Sequence, residues 1–322
     1  MRTSIFFLLL MFSRLQAVQV PAKHLFPDHS TIASPWFTGP LLAPSAANVP
    51  RGHVNFEPYI FARADSGHYD NDWKSVKEPT SWTNFFQPSV QMGVNNILEI
   101  DLIPTLFYNY NHGTSKWVYG DMLLAFAFQL FLTKRPVTEW NTALRLEVLG
   151  TIPFGQYQRL DPKKKGTDIG GQGSWRPGAT LNWGNLFYLG GGHFATWRLD
   201  FIYTCSTPVR VHGLSTFGGE ERTVGTVYTP HHFIIDTAVE ISVTQNWVLV
   251  MEAVGDWKSK RRFKGITTAP VKEPAGIVYS LAPALEYNWN ANIGLIFGAW
   301  FSVSGKNSPQ FASAVIAFNY FK

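Results

Sequence analysis

The sequence predicts an all-β fold, a transmembrane antiparallel β-barrel of about twelve strands. From about residue 51 onward, strand-length stretches alternate polar and apolar residues, as expected when one strand face meets lipid. The connections between them are alternately long and short, which is typical of barrels with loops on one side and turns on the other. Beyond the first residues, no stretch approaches the roughly 20 apolar residues that a spanning helix needs.

The first 17 residues have the pattern of an export signal. Arg2 precedes the apolar run 5–12, and Ala17 is a small residue at a suitable cleavage position. We expect residues 1–17 to be removed as a signal peptide, so that the mature chain begins near Val18. The alternative interpretation is a buried N-terminal helix.

Residues 18–50 are predicted to form an irregular, proline-rich N-terminal segment. The segment contains six prolines and shows neither helical nor strand periodicity. Because proline lacks a backbone N–H, such a segment stays extended and irregular. It could lie beneath the barrel mouth or enter the lumen as a plug.

Residues 51–322 are predicted to form the barrel as one domain. A spanning strand needs about 9 to 11 residues, and each predicted strand is long enough. An even number of strands returns the C-terminus to the side where the barrel began. The predicted strands are 52–62, 83–93, 97–110, 116–133, 138–152, 174–187, 194–207, 225–243, 247–256, 276–287, 292–303 and 309–321.

The predicted connections divide between the two sides of the membrane. In an outer membrane, the long ones face the cell exterior and the tight turns face the periplasm. The long connections are 63–82, 153–173, 208–224 and 257–275, with shorter ones at 111–115 and 304–308. The tight turns are near 94–96, 135–137, 190–192, 244–246 and 288–291.

The alternation assigns a face to each side chain. If the third and fourth strands pair about Gly113, the fourth and fifth about Pro136, and the eighth and ninth about Gln245, each outward residue lies opposite another outward residue. A slip of one residue would place every inward charge in lipid. The predicted outward sets are Leu98, Ile100, Leu102, Leu106 and Tyr108 on the third strand; Val118, Met122, Leu124, Phe126, Phe128, Leu130 and Leu132 on the fourth; and Phe233, Ile235, Val239, Ile241 and Val243 on the eighth. The opposing inward sets are Glu99, Asp101, Thr105 and Asn109; Asp121 and Gln129; and His232, Asp236 and Glu240.

The inward positions predict a lumen lined mainly by acids. The registers place Glu99, Ala127 and Arg145 in one row, and since an unpaired buried charge is costly, we predict an ion pair between Arg145 and Glu99. About eight strands fill a barrel with side chains and about sixteen leave a channel, so twelve predict a narrow lumen. The predicted lumen-lining residues are Glu57, Glu99, Asp101, Asp121, Arg145, Glu147, Arg198, Asp200, Asp236, Glu240, Glu252 and Glu286.

The net charge of +5 comes from basic residues in loop-like stretches, chiefly 163–165 and 258–264. No recognition helix or RNA-binding signature accompanies them, which argues against a nucleic acid partner. Outer-membrane lipids with anionic headgroups, or anionic solutes, fit better, and a merely solvated surface is the alternative.

Cys205 is the one cysteine, which excludes an intrachain disulfide. The acidic stretch 65–72 lacks the glycine and distal glutamate of a calcium loop, so no metal or cofactor is predicted.

An enzyme is not predicted, although some barrels of similar strand number hydrolyse lipids at the rim. The best candidate is His231 and His232, with Ser215 nearby in a loop. Hydrolysis needs a nucleophile and a base held together, and the sequence contains neither a nucleophile-elbow pattern nor a metalloprotease helix motif. Polar residues at the barrel rim explain the pattern better.

Several stretches resemble a known family. They are Pro35-Trp36-Phe37-Thr38-Gly39-Pro40-Leu41-Leu42, Gly52-His53-Val54-Asn55-Phe56-Glu57-Pro58-Tyr59, Trp140-Asn141-Thr142 and the apolar, aromatic final strand. They resemble the outer-membrane transporter family named for the meta-pathway of phenol degradation. The resemblance implies a barrel that admits aromatic or other apolar molecules, and no catalytic residues. Lys322 departs from the terminal aromatic residue that is typical of barrel-assembly signals.

The expected function is therefore a passive outer-membrane transporter or channel for small apolar or aromatic molecules. The inward acids would line and restrict its path, and the proline-rich segment would help to occlude it. The alternative is a barrel without transport, acting as a surface or structural protein through its basic loops. Either protein would reside in the outer membrane of a Gram-negative cell.

Overall fold

The computed structural model describes residues 33–322, so the predicted export signal and residues 18–32 lie outside the described part of the chain. The described residues contain one short 3-10 helix, Pro162–Lys164, and no helix long and apolar enough to cross a membrane. Their strands are β1 Val54–Tyr69, β2 Ser75–Gly93, β3 Leu98–Ile103, β4 Leu106–Asn111, β5 Thr114–Tyr119, β6 Met122–Leu132, β7 Asn141–Ile152, β8 Arg176–Gly190, β9 His193–Thr204, β10 Val209–His212, β11 Val224–Tyr228, β12 His232–Ser242, β13 Trp247–Lys258, β14 Arg262–Ile266, β15 Gly276–Leu281, β16 Ala284–Asn290, β17 Ile293–Lys306 and β18 Ser308–Phe321.

Fifteen of these strands form one closed antiparallel barrel. β1 pairs with both β2 and β18, which closes the sheet on itself. Three segments that cross the barrel wall are each interrupted and consist of two consecutive strands, namely β3 and β4, β5 and β6, and β15 and β16. The barrel thus has twelve spanning segments, and the predicted fold class is confirmed.

The interruptions have local causes. Pro104 separates β3 from β4, and Pro283 lies between β15 and β16. Proline cannot donate to the ladder, so regular pairing stops at both positions. Between β5 and β6, Asp121 turns into the barrel, where its carboxylate accepts the N–H groups of Gly155 at 3.0 Å and Gln172 at 3.1 Å.

The first hairpin extends much further than predicted. Residues 63–82 were expected to form a loop, but β1 and β2 continue to a five-residue turn, 70–74. Asp70 holds this turn by accepting the N–H groups of Lys74 at 2.9 Å and Asp72 at 2.8 Å, and these hydrogen bonds lower the pKa of its carboxyl. The prediction failed because alternating Ala and polar residues carry no apolar signal, whereas the backbone ladder continues regardless.

Two connections on the long-loop side are also tighter than predicted. β4 and β5 are joined by His112 and Gly113, which both have positive φ. This conformation suits the twist of a two-residue hairpin turn. β17 and β18 are joined by Asn307 alone, again at positive φ.

The predicted eighth strand, 225–243, combines two separate elements. Its first residues form β11, which pairs with β10 and β14 in a small three-stranded sheet outside the barrel ladder. The barrel strand β12 begins only at His232. Pro230 lies between the two, and its missing N–H accounts for the interruption.

Of the three predicted registers, one is found in full and one in part. His232 pairs with Lys258, as expected for a centre at Gln245, and Glu99 pairs with Ala127, as expected for a centre at Gly113. Nearer the turn, however, Tyr108 pairs with Trp117 instead of Val118, so the pairing of β4 with β5 is displaced by one residue. The third register is wrong, because Ala127 faces Glu147 and Arg145 faces Gln129. This pairing centres on residue 137, and the turn between β6 and β7 spans residues 133–140 instead of 135–137.

Two outward assignments on the fourth predicted strand are wrong. Val118 is 7% exposed and points inward, whereas its neighbour Tyr119 is 78% exposed. The break at residues 120 and 121 reverses the alternation between β5 and β6. Leu132 packs against the buried core because the pairing shifts between Gln129 and Phe131. A bulge adds one residue to a strand and so reverses the facing beyond it.

Candidate functional site in the barrel lumen

All twelve predicted lumen residues are buried within the closed barrel. They come from segments around its whole circumference. Glu57 lies on β1; Glu99 and Asp101 on β3; Asp121 between β5 and β6; Arg145 and Glu147 on β7; Arg198 and Asp200 on β9; Asp236 and Glu240 on β12; Glu252 on β13; and Glu286 on β16. That they line a path for solutes remains a prediction.

Arg145 is the centre of the interior charge network. Its NH1 contacts Glu99 Oε1 at 2.8 Å, so the predicted ion pair is present. Its NH2 lies 3.6 Å from Glu147 Oε2, and its Nε donates to Asn182 Oδ1 at 3.2 Å. Asn182 in turn donates to Asp200 at 2.8 Å. Arg145 reaches Glu99 diagonally, which is why the contact forms although the predicted row was wrong.

A second arginine, on β9, pairs with an acid on the neighbouring strand β12. Arg198 NH2 lies 2.9 Å from Glu240 Oε2, which also accepts the Thr196 hydroxyl at 2.6 Å. Near the long-loop end, Arg176 NH2 lies 3.2 Å from Asp121 Oδ2. Hydrogen bonds between ionised partners are shorter and stronger than those between neutral groups.

Acids nevertheless outnumber bases in the lumen. Ten of the twelve residues named above are Asp or Glu, and only two are Arg. The polar part of the lumen is therefore predominantly acidic in composition.

Residues 33–50, here called the lumen segment, run through the interior of the barrel. Residues 34–49 are buried, except that Trp36 is half-buried. The segment starts beside the turn between β12 and β13, where Gln245 Nε2 donates to Ser34 O at 2.9 Å. It ends beside Gly93, at the same short-turn end of the barrel. The segment thus forms an arch across that end of the lumen.

Lumen carboxylates hold the rising part of the arch. Glu286 accepts the backbone N–H groups of Thr38 at 2.6 Å and Gly39 at 3.2 Å. Glu252 accepts the N–H of Leu42 with both oxygens, at 3.0 and 3.1 Å. A buried N–H outside any ladder needs a partner, and a carboxylate is a stronger acceptor than a neutral oxygen.

The descending part is held in a similar way. Val49 N–H donates to Glu99 Oε2, the oxygen that Arg145 does not contact. Gln129 accepts the Asn48 N–H at 2.8 Å and donates to Ala46 O at 3.0 Å. Arg145, Glu99 and the end of the lumen segment therefore form one continuous chain of contacts.

Gly93 allows the lumen segment to lie directly against the barrel wall. A Cβ atom at this position would lie 2.1 Å from Pro50 O and 2.3 Å from Val49 O. We expect Gly93→Ala to displace the end of the segment and to expose the backbone N–H groups of residues 46–49 to hydrogen exchange. Gly150→Ala on β7 is the control, because a Cβ there meets nothing within 4 Å. Equal exchange in both variants would contradict this prediction.

One side of the interior is an aromatic wall, carried by β1, β2, β4, β17 and β18. The Phe61 and Phe85 rings stack 4.2 Å apart, and Phe107 follows Phe85 at 5.9 Å. The apolar tip of the arch, Leu41 and Leu42, belongs to the same buried cluster. The aromatic wall consists of Tyr59, Phe61, Phe85, Phe107, Trp300 and Phe311.

An arginine lies at the long-loop end of the aromatic wall. Arg63 is fully buried and donates through Nε to Asp65 Oδ1 at 2.9 Å. Its guanidinium carbon lies 3.9 Å from the Phe311 ring centre and 5.5 Å from that of Trp300. Trp300 Nε1 is held by Ser280 Oγ at 2.9 Å. Cation–π contacts of this kind strengthen when water is excluded.

Sequence reasoning missed this arginine and the aromatic wall. Arg63 and Asp65 were predicted to lie in a loop, although continuing the alternation of β1 by two residues per step from Glu57 would have found both. Arg176 lies at the first residue of β8 and was not assigned a face. The aromatic wall was missed because apolar residues were expected to face lipid.

The structure does not assemble the candidate hydrolytic residues. Ser215 Oγ donates to Gly218 O at 2.9 Å, and His232 Nδ1 lies 3.1 Å from Asp256 Oδ1. His231 is exposed and stacks on Tyr203. Within residues 33–322, no hydrogen bond joins Ser215 to either histidine, and no cluster of three metal-binding side chains occurs.

Comparison with known proteins gives a fold relationship. No family model matches the chain, and no curated protein matches its sequence. Among solved structures, the COG4313 outer membrane channel from Pseudomonas putida F1 matches with a TM-score of 0.65 at 14% identity, over 86% of this chain and 98% of that one. At this identity the match shows a shared barrel fold.

Two other solved barrels match more weakly. The TodX deltaS2S3 mutant monoaromatic hydrocarbon channel gives a TM-score of 0.44 at 10% identity, over 95% of this chain and 99% of that one. The β domain of the Bordetella autotransporter BrkA gives 0.41 at 10% identity, over 83% and 98%.

Proposed function

We propose that this protein is a passive outer-membrane channel for small apolar or aromatic molecules. The observation that carries the proposal is that aromatic rings line one side of the lumen, on β1, β2, β4, β17 and β18, while most of the charged residues line the rest of it. A purely structural barrel has no need to bury rings such as Phe61 and Phe85 inside while also exposing aromatic residues to lipid. The barrel fold shared with an outer membrane channel, and the family resemblance of the sequence, support the same proposal.

The aromatic wall offers a low-energy path for a flat apolar solute. Offset or tilted ring pairs gain about 0.5 to 1.5 kcal/mol each beyond the burial of their surface. A solute can exchange one ring contact for the next along Tyr59, Phe61 and Phe85, which lie between the level of Glu57 and the level of Arg63. The acid excess in the lumen would exclude anions and, in any aqueous path, favour cations.

We also propose a role for each part of the chain. Residues 1–17 direct export and are removed, residues 18–50 include the occluding segment, and residues 51–322 form the barrel. The lumen segment closes the short-turn end, so transport requires it to move or a solute to pass beside it. Its many hydrogen bonds to lumen side chains keep the resting barrel tight against ions.

A barrel without transport is the second candidate. The observation in its favour is that the lumen segment and the wall side chains around it are buried, which leaves the short-turn end filled. Such a barrel would give the same low ion conductance as a closed channel. Uptake of an aromatic solute distinguishes the two.

The test uses vesicles with a lipopolysaccharide outer leaflet, which slows the direct entry of apolar solutes. We expect the protein to accelerate naphthalene uptake, and Phe61→Leu/Phe85→Leu to reduce that acceleration about tenfold, which corresponds to about 1.4 kcal/mol. The matched control is Phe56→Leu/Phe86→Leu, whose rings lie on the same two strands but are exposed. Absence of any acceleration by the unmodified protein would favour the barrel without transport.

A further inference from the structure

The small sheet of β10, β11 and β14 lies just beyond the long-loop ends of β9, β12 and β13. Only residues 205–208 separate β9 from β10, residues 229–231 separate β11 from β12, and residues 259–261 separate β13 from β14. These short connections fix the sheet directly above three neighbouring barrel strands. Its position along the membrane normal is therefore defined by the barrel below.

The sheet is amphipathic. Its inner face consists of Val209, Val211, Val227 and Phe263, which pack with Phe217 and Val271 of the adjoining loops. Cross-strand partners share a face in an antiparallel sheet, so the outer face follows from the register. The outer face, here called the cationic face, consists of Arg210, His212, Val224, Thr226, Tyr228, Arg262, Lys264 and Ile266.

Three exposed cations and no acid occupy the cationic face. Arg210 and Lys264 flank Thr226 in one row of the sheet. In the next row Arg262 lies opposite Tyr228, with its guanidinium carbon 5.5 Å from the ring centre. Like charges on one face of a sheet repel each other, and a bound anion relieves the repulsion.

The structure separates these cations from the other basic residues of the same stretch. Lys258 and Arg261 are buried, and both form ion pairs with Glu273. The distance between Arg261 Nη1 and Glu273 Oε2 is 2.9 Å. These pairs hold the 259–275 connection against the end of the barrel. Arg262 and Lys264 instead point to the surface, as does Lys260. The basic run thus contains internal ion pairs as well as an exposed charged surface.

An aromatic belt on the barrel exterior indicates the level of this surface. Trp257 lies 5.8 Å from both Phe233 and Tyr279, all three near the long-loop ends of their strands. Exterior aromatic residues mark the boundary between hydrocarbon and headgroups. With a rise of about 3.3 Å per residue, the row of Tyr228 and Arg262 begins only a few residues above this belt.

We propose that the cationic face binds the phosphate groups of phosphorylated glycolipids in the outer leaflet. Arg210 and Arg262 would hold phosphate oxygens with paired N–H groups, and Lys264 would add a point charge. This inference rests on the proposed outer-membrane location but not on transport.

The test compares purified full-length protein with Arg210→Gln/Arg262→Gln/Lys264→Gln. We expect native mass spectrometry to show binding of diphosphorylated lipid A, weakened about tenfold or more in the variant, because three charge-assisted contacts are removed. The control is Lys163→Gln/Lys164→Gln/Lys165→Gln, which removes the same charge from another long loop and should bind normally.

Three outcomes would overturn the proposal. The first is equal binding of lipid A by the two triple variants. The second is binding of dephosphorylated lipid A that is as tight as binding of the diphosphorylated form. The third is competition by inorganic phosphate with an affinity equal to that of lipid A, which would indicate a site for free anions. Naphthalene uptake by the Arg210 variant separates this proposal from the channel proposal. If this variant loses lipid A binding but takes up naphthalene normally, the cationic face is a lipid site that is separate from transport. If the unmodified protein binds lipid A but no form of the protein accelerates uptake, the channel proposal is wrong and the lipid site stands.

Discussion

Deletion of residues 33–49 is expected to convert a barrel with little ion conductance into an open, cation-selective pore. The lumen segment fills the short-turn end, where lumen carboxylates, Gln129 and Arg198 bind its backbone. Without it, the same carboxylates face water and line the opening. Planar-bilayer recordings should show conductance several-fold higher than that of the unmodified protein. A barrel that stays impermeable after the deletion would contradict the channel proposal.

A substitution that keeps the chain intact tests the same point more narrowly. Glu252→Ala/Glu286→Ala removes the acceptors of the Thr38, Gly39 and Leu42 N–H groups. A hydrogen bond to a charged group contributes about 1.5 to 3 kcal/mol, so the arch should detach for a measurable fraction of the time and produce brief openings. Glu57→Ala is the matched control, because this buried lumen carboxylate makes no hydrogen bond to the segment. Openings in the control would show that charge removal alone is sufficient.

The fold was predictable because membrane strands obey a period of two. The lipid-facing residues of β3 and β12 could be read directly, and the pairing of Glu99 with Ala127 followed from the same parity. The predicted facing is wrong where an extra residue changes that parity, as at Asp121 and between Gln129 and Phe131. Periodicity carries no information about where an extra residue is inserted, since the sequence on both sides still alternates.

The site was only partly predictable for a different reason. An inward acid such as Glu252 stands out among apolar neighbours. An inward Phe61 does not, because a phenylalanine is also the residue type expected at a position that faces lipid. The partners of the acids were also hidden, because the lumen segment has no periodicity and its N–H groups leave no trace in the sequence. Glu252 and Glu286 were therefore identified as lumen residues without the backbone groups that they bind.

Arg145→Met is expected to be the most destabilising single substitution in the barrel wall. The arginine is fully buried and contacts Glu99 and Glu147, with Asp101 and Asp200 in its electrostatic surroundings. Removing one member of a buried ion pair leaves an uncompensated charge and costs about 3 to 5 kcal/mol. Urea unfolding in detergent micelles, followed by tryptophan fluorescence, should show this loss. Arg135→Met, in the exposed turn after β6, should unfold like the unmodified protein.

The double variant Arg145→Met/Glu99→Gln separates charge from packing. If the cost comes from uncompensated acids, neutralising Glu99 should restore part of the lost stability, because one fewer buried negative charge then lacks a partner. The same substitution weakens the acceptor of the Val49 N–H, so the end of the lumen segment should exchange faster although the barrel is more stable. Higher barrel stability together with faster exchange in the lumen segment would show that Arg145 stabilises the barrel wall, whereas Glu99 contributes both to the barrel wall and to holding the lumen segment. If the double variant were no more stable than Arg145→Met, the loss would reflect packing around the side chain and not its charge.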